Sequence, residues 1–275
     1  MNQVHFIGIG AMKAGTTWLH DYLKNHDEVL ASPIKEMNFF TSHLRRKEYP
    51  HILNGFVSRY CEFSSSCDFK QPNQVEKLRN LSDRLAMEFN PYHYLNFFES
   101  RLSGQSAYGE ISPSYADLGS EDFAYITRLC PNAKFIFIMR DPVSRLLSHI
   151  RFDKKLNQKL SISQLLEKAV NPSSVFQIRS RYDVTIKNLE KSVPKENIIY
   201  LFYESMFCNE EVARLCGFLG ISNKNADFGK KKNKNDAMPY FDWDEGFVRE
   251  IRESLSSTYD FCNYRFGRLI PDDWL

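Results

Sequence analysis

The stretch Lys134-Phe135-Ile136-Phe137-Ile138-Met139 constrains this chain more than any other, because its last five residues are apolar without interruption. A strand with one wet face alternates apolar and polar residues. An unbroken apolar strand is buried on both faces, as in a parallel sheet covered by helices. Val143, Leu146, Leu147 and Ile150 follow at helical spacing, so the strand leads directly into a helix with one buried face.

The same unit recurs along the chain. Val4 to Ile9 reads as a strand, and Trp18, Leu19, Tyr22 and Leu23 form a helical stripe after a glycine-containing loop. A short strand is expected around Val29-Leu30, ending at Ser32-Pro33, where proline discourages helix. Tyr182, Ile186, Leu189 and Val193 form another stripe, Ile198 to Phe202 a strand, and Val212, Leu215, Cys216 and Leu219 a further stripe. Strands alternating with helices predict an α/β fold, a central parallel β-sheet flanked by helices. Ligands of such sheets sit at the carboxyl ends of the strands. Between about Thr41 and Asn73 the periodicity fades, then Leu78, Leu81 and Leu85 suggest a helix. Residues 41–102 are therefore read as a helical or irregular insertion or cap, within a single domain spanning 1–275 that no Pro/Gly/Ser-rich linker divides.

A formal net charge of +2 provides no protein-wide field for nucleic acid, so any anion site must be built locally. The six cysteines show no CxxC pairing, which fits reduced thiols. The seven histidines show no HExxH and no zinc spacing, so no metal is expected. The chain opens on a strand with no signal-peptide pattern, and no apolar run reaches the roughly 18 residues a bilayer span needs. The expectation is a soluble, cytoplasmic protein without a transmembrane segment; its oligomeric state is left unspecified.

Local anion chemistry is concentrated in Gly8-Ile9-Gly10-Ala11-Met12-Lys13-Ala14-Gly15-Thr16-Thr17. Backbone N–H groups at a helix N-terminus, small residues permitting close approach, and one lysine make a cradle for a diphosphate-like group. The loop departs from the GxxxxGK[ST] pattern of nucleoside triphosphatases, since Lys13 precedes the last glycine. Lys13-Ala14-Gly15-Thr16-Thr17 instead resembles the KxGTT loop of sulfotransferases, which holds the 5′-phosphosulfate of their donor.

Other residues extend that resemblance. Arg140, ending the apolar strand, and Ser148, eight residues later, match the arginine and serine that bind the donor's 3′-phosphate in sulfotransferases. A guanidinium fork suits a phosphate dianion. Lys35-Glu36-Met37-Asn38-Phe39-Phe40 is similar to the KExxFF segment of heparan-sulfate-type and bacterial sulfotransferases, and Glu110-Ile111-Ser112-Pro113-Ser114-Tyr115 to their EKxPxY segment. Lys234 and Asn235 fall where the family closes a loop over the nucleotide, with Lys230, Lys231 and Lys232 nearby. Here Asn235 and Asp236 replace the family's glycine and arginine. Two further departures are Ile111, where carbohydrate enzymes often have a lysine, and Asn38, where the family has a histidine.

The resemblance implies a P-loop-type nucleotide-binding fold whose co-substrate is 3′-phosphoadenosine 5′-phosphosulfate, with adenosine 3′,5′-bisphosphate as product and no metal. It assigns the donor to Lys13, Ala14, Gly15, Thr16, Thr17, Arg140, Ser148, Lys234 and Asn235. Catalysis falls to Lys13 and to Glu36 as general base, with a hydroxyl or amine on a small molecule or glycan as acceptor and the insertion beside the acceptor site. The competing readings are a P-loop small-molecule kinase, against which stand the displaced lysine and a strand ending in Arg140 instead of a magnesium-binding aspartate, though Asp141 is adjacent, and a non-catalytic nucleotide-binding relative.

Overall fold

The computed structural model describes residues 3–229 and 243–275. Five strands, β1 (Val4–Gly10), β2 (Val29–Ala31), β3 (Ala107–Ile111), β4 (Lys134–Met139) and β5 (Ile198–Phe202), form one sheet in the order β2-β3-β1-β4-β5. All neighbouring pairs are parallel. Residues Phe135 to Met139 of β4 are fully buried, as the unbroken apolar run predicts.

Helix α1 (Thr16–Lys24) follows β1. Between β2 and β3 lie α2 (Phe39–Leu44), α3 (Pro50–Ser66), α4 (Pro72–Ala86) and α5 (Tyr92–Glu99). Helix α6 (Ser120–Leu129) precedes β4. Then α7 (Pro142–Leu156), α8 (Ile162–Val170), α9 (Val175–Ile178) and α10 (Tyr182–Ser192) lead to β5. Helices α11 (Asn209–Leu219), α12 (Glu245–Ser254) and α13 (Ser256–Phe266) complete the described chain.

Two elements differ from the sequence reading. Where periodicity fades, the chain forms α3, a helix of 17 residues that starts with Pro50 in its first turn and buries only Phe56. Its stripe, Ile52, Phe56, Tyr60 and Phe63, is interrupted by exposed polar residues and only half-buried apart from Phe56, so the period is weak. The other is β3, whose Gly109 and Glu110 disguise a central strand. A Cβ at Gly109 would stand 1.9 Å from the Phe6 carbonyl oxygen of β1, so glycine there is a condition of close strand approach.

This strand order places the site. From β1 the chain crosses β3 to reach β2, whereas from β4 it continues outward to β5. The connections leave the adjacent strands β1 and β4 in opposite directions, opening a crevice between their carboxyl ends.

Candidate functional site

On one side of that crevice is the loop after β1. Gly15 caps α1 with φ 86°, and no side chain hydrogen-bonds to the first turn. Glycine meets the left-handed requirement without a Cβ penalty. It also makes room, because a Cβ there would be 3.0 Å from the Tyr203 ring. The uncapped N–H groups at Thr16 and Thr17 are thus available to an anion. Ala14 is fully buried beneath the loop, which is tied to the sheet by Ala11 N–H donating to the Ile138 carbonyl at 2.6 Å.

Arg140 begins the loop after β4. Its Nη1 donates to the Lys13 carbonyl at 3.3 Å, and its guanidinium lies 4.7 Å from the Tyr203 ring centre. Lys13 and Arg140 therefore share one crevice. Lys13 Nζ sits 4.4 Å from the Phe152 ring centre on α7. Half-buried Ser148 lies one turn before Phe152, on the same side of α7. Burial pushes the Lys13 ammonium below the usual lysine range, Arg140 pushes the same way, and the Glu36 carboxylate opposes them. A bound anion would relieve this crowding of positive charge, so the residues present fit a phosphate-bearing ligand.

Asp141, beside Arg140, is otherwise engaged. Its carboxylate accepts the Ser144 N–H at 2.7 Å to cap α7 and the Tyr259 hydroxyl at 2.5 Å. Each of its oxygens therefore already has a partner within the fold, which weighs against a metal-binding role for Asp141.

Glu36 lies on the other side, in the segment between β2 and α2. It is exposed and lines a cleft of about 330 Å³ together with Met12, Lys35, Phe56, Arg59 and Arg179. The cleft therefore runs from the loop after β1 to helix α3. Glu36 and Asn38 have φ of 55° and 49°, the left-handed region. Each such non-glycine residue costs on the order of 1–3 kcal/mol and persists only where its surroundings hold it. Lys234 and Asn235, with Lys230 to Lys232, lie outside the described residues.

The sequence reading missed several participants. Lys35 Nζ donates to Thr17 Oγ1 at 2.7 Å, bridging the cleft and the helix start. Arg179 donates to buried Asp117 at 3.2 Å and also contacts Met12 Sδ, so it braces the residue before Lys13. Behind it, fully buried Arg145 has its pKa pushed down to about 10 by desolvation. Nearby Lys35 was a signal in sequence; Arg179 and Arg145 belong to no motif and become visible only when α7 and α9 pack beneath the loop.

Parallel strands carrying a helix-capped anion cradle at a topological switch define an α/β protein of P-loop-like, nucleotide-binding fold. Residues 6–225 match the profile of the Sulfotransferase family, and the chain belongs to that family. Human carbohydrate sulfotransferase 15 is 28% identical over 178 residues, covering 63% of this chain and 31% of that protein. The membrane-associated sulfotransferase kil1 of Dictyostelium discoideum is 26% identical over 148 residues, covering 54% and 22%. The chain thus spans less than a third of either relative's length.

Among solved structures, a sulfotransferase from Alicyclobacillus acidocaldarius superposes with a TM-score of 0.67 at 18% identity, over 100% of this chain and 99% of that one. A mouse sulfotransferase complexed with PAP gives 0.50 at 13% identity, over 98% and 86%. At these identities the likeness establishes the fold.

Proposed function

We propose that this chain is a sulfotransferase that moves the sulfuryl group of 3′-phosphoadenosine 5′-phosphosulfate to an acceptor hydroxyl or amine. One observation carries the reading: Arg140 Nη1 donates to the Lys13 carbonyl at 3.3 Å beside an uncapped helix start, and the preceding residue, Met12, lines the cleft that holds Glu36. When bound, the donor supplies an electrophilic sulfur and a nucleotide leaving group. Lys13 and the N–H groups of Gly15, Thr16 and Thr17 hold the 5′-phosphosulfate, and Ala14 keeps the loop small. Arg140 and Ser148 hold the 3′-phosphate, and the resemblance adds Lys234 and Asn235 to the donor-binding residues.

Glu36 takes the proton of the acceptor as its oxygen or nitrogen bonds to sulfur. Lys13 stabilises the negative charge left on the 5′-phosphate when the old sulfur–oxygen bond breaks. Preorganised donors of this kind contribute roughly 2.7–4 kcal/mol each in other enzymes. No step requires a metal. Residues 41–102 form the acceptor wall of a single catalytic domain, a role supported by α3 lining the cleft through Phe56 and Arg59. The name of the human relative supports a carbohydrate acceptor.

A cytoplasmic setting is part of the proposal, supported by six free cysteines. Among the described residues no helix is long and apolar enough to cross a membrane.

Two measurements test the activity. Adenosine 3′,5′-bisphosphate is expected to raise the melting temperature, while ATP with magnesium is not. Incubation with ³⁵S-labelled donor and a panel of oligosaccharides, phenols and aliphatic alcohols is expected to yield a labelled product. Absence of stabilisation by the bisphosphate would sink the reading.

A further inference from the structure

Glu36 is held by something outside its own segment. Glu36 and Asn38 both adopt left-handed backbone conformations, a combination the local sequence does not favour, since only asparagine visits that region readily. Three contacts pin the turn between them. The Asn38 N–H donates to Ser112 Oγ at 2.9 Å. Ser114 Oγ donates to Asn38 Oδ1 at 2.8 Å. Arg84 Nε, from α4, donates to the Met37 carbonyl at 2.7 Å.

Ser112 is the contact whose own orientation is determined on every side. Its hydroxyl spends its single hydrogen on Glu110 Oε2 at 2.6 Å, leaving its lone pairs for the Asn38 N–H. Glu110 is fully buried and accepts a second hydroxyl, that of Tyr115, at 2.6 Å. Tyr115 in turn accepts the Phe40 N–H at 3.3 Å. The Ser112 N–H donates to the Gly8 carbonyl of β1 at 2.8 Å. Because β1 also delivers Lys13, the segment bearing Glu36 and the loop bearing Lys13 are referred to the same strand.

We infer that Ser112 is a positioning residue for sulfuryl transfer: held by Glu110 and by β1, it fixes through the Asn38 amide where the Glu36 carboxyl stands relative to Lys13. The inference rests on the reading of Glu36 as general base. Ser112 touches no reacting atom and acts only through the turn. Removing its hydroxyl leaves the Asn38 N–H without its acceptor, so the turn relaxes and the carboxyl moves from the acceptor. Misplacement by about 1 Å can cost about 100-fold in rate.

A double-mutant cycle decides the matter. Ser112→Ala is made in the parent and in Glu36→Gln, and turnover is read as release of adenosine 3′,5′-bisphosphate from the donor with the acceptor panel present. The expected result is a roughly 10- to 100-fold fall in kcat in the parent and less than about twofold in Glu36→Gln. Affinity for adenosine 3′,5′-bisphosphate should be unchanged in both, which also shows that the variants are folded. Equal losses in the two backgrounds, or weakened bisphosphate binding, would make Ser112 merely structural and overturn the proposal. A Glu36→Gln variant with the parent's kcat overturns both the base and its clamp. A failure of the clamp alone leaves the Glu36→Gln loss in place, so the two failures are distinguishable.

Discussion

The strand ends that carry Lys13 and Arg140 and the helices of residues 41–102 face one cleft, yet they are held in different ways. On the strand side the backbone does the positioning: β1 and β4 are adjacent and parallel, their residues are largely buried, and Arg140 reaches the Lys13 carbonyl directly. On the helical side α3 fully buries one side chain, Phe56, with Ile52, Tyr60 and Phe63 partly buried, and presents exposed Arg59 to the cleft. The joint between them is polar and buried, with Arg84 of α4 fully enclosed and bonded to the Met37 carbonyl, Ser42 and Glu88. A reaction needs its charged groups placed to a fraction of an ångström, whereas a wall that selects acceptors needs only shape and charge. The proposed function accordingly assigns the donor's chemistry to the strand side and acceptor selection to the insertion.

The strongest way to break that division is Lys13→Ala, expected to lower kcat by about 10²–10³-fold with the melting temperature little changed. Near-normal turnover would take the chemistry off the strand side. Arg140→Ala is expected to weaken adenosine 3′,5′-bisphosphate binding by about 10- to 100-fold, measured by calorimetry, since a hydrogen bond to a charged group contributes about 1.5–3 kcal/mol. Equal affinity would separate Arg140 from the nucleotide.

The seam between the two regions should respond to acid. His5 of β1 lies against Tyr94 of α5 at 3.3 Å, and desolvation pushes its pKa down to about 3 from the ordinary 6.5. The unfolded chain therefore binds the proton first, so this contribution to stability is complete above pH 6.5 and is lost as pH falls toward 3. By pH 5 the loss is about 2 kcal/mol. His5→Phe should flatten the decline in melting temperature between pH 7 and pH 5; an unchanged slope would place the acid sensitivity elsewhere.

Two glycines give the smallest and sharpest contrast. Gly15→Ala is expected to destabilise by about 1–2 kcal/mol, because its φ of 86° and the Tyr203 ring at 3.0 Å exclude a Cβ. Gly55→Ala, in α3 where a Cβ would meet nothing within 4 Å, should stabilise by about 0.5–1 kcal/mol. Denaturant titration compares the pair, and effects of the same sign would show that the two regions are not built so differently.

Legibility in the sequence divides along the same line. β1, β4, β5 and the helices after them could be read because a buried parallel strand must be apolar throughout and its covering helix must repeat at 3.6 residues. The order and spacing of Lys13, Gly15, Thr16 and Thr17 were readable because a helix-terminal anion cradle is a local structure. β3 was hidden because its pairing demands Gly109 and its network demands Glu110, both poor strand signals. Helix α3 was missed although Ile52, Phe56, Tyr60 and Phe63 recur at helical spacing, because only Phe56 is fully buried and most of the residues between them are small or polar.

By itself the sequence determined the parallel α/β class, the glycine loop leading into α1 and the arginine ending the central strand, all set by interactions among near neighbours. Only tertiary structure decided that Lys13 and Arg140 share one crevice, that Tyr259 bonds to the Asp141 carboxylate, and that Ser112 and Glu110 grip the turn carrying Glu36. Those contacts join distant residues: Arg140 and Lys13 are 127 positions apart, Tyr259 and Asp141 118, and Ser112 and Asn38 74. Strand order, which a one-dimensional pattern does not encode, brings such partners together.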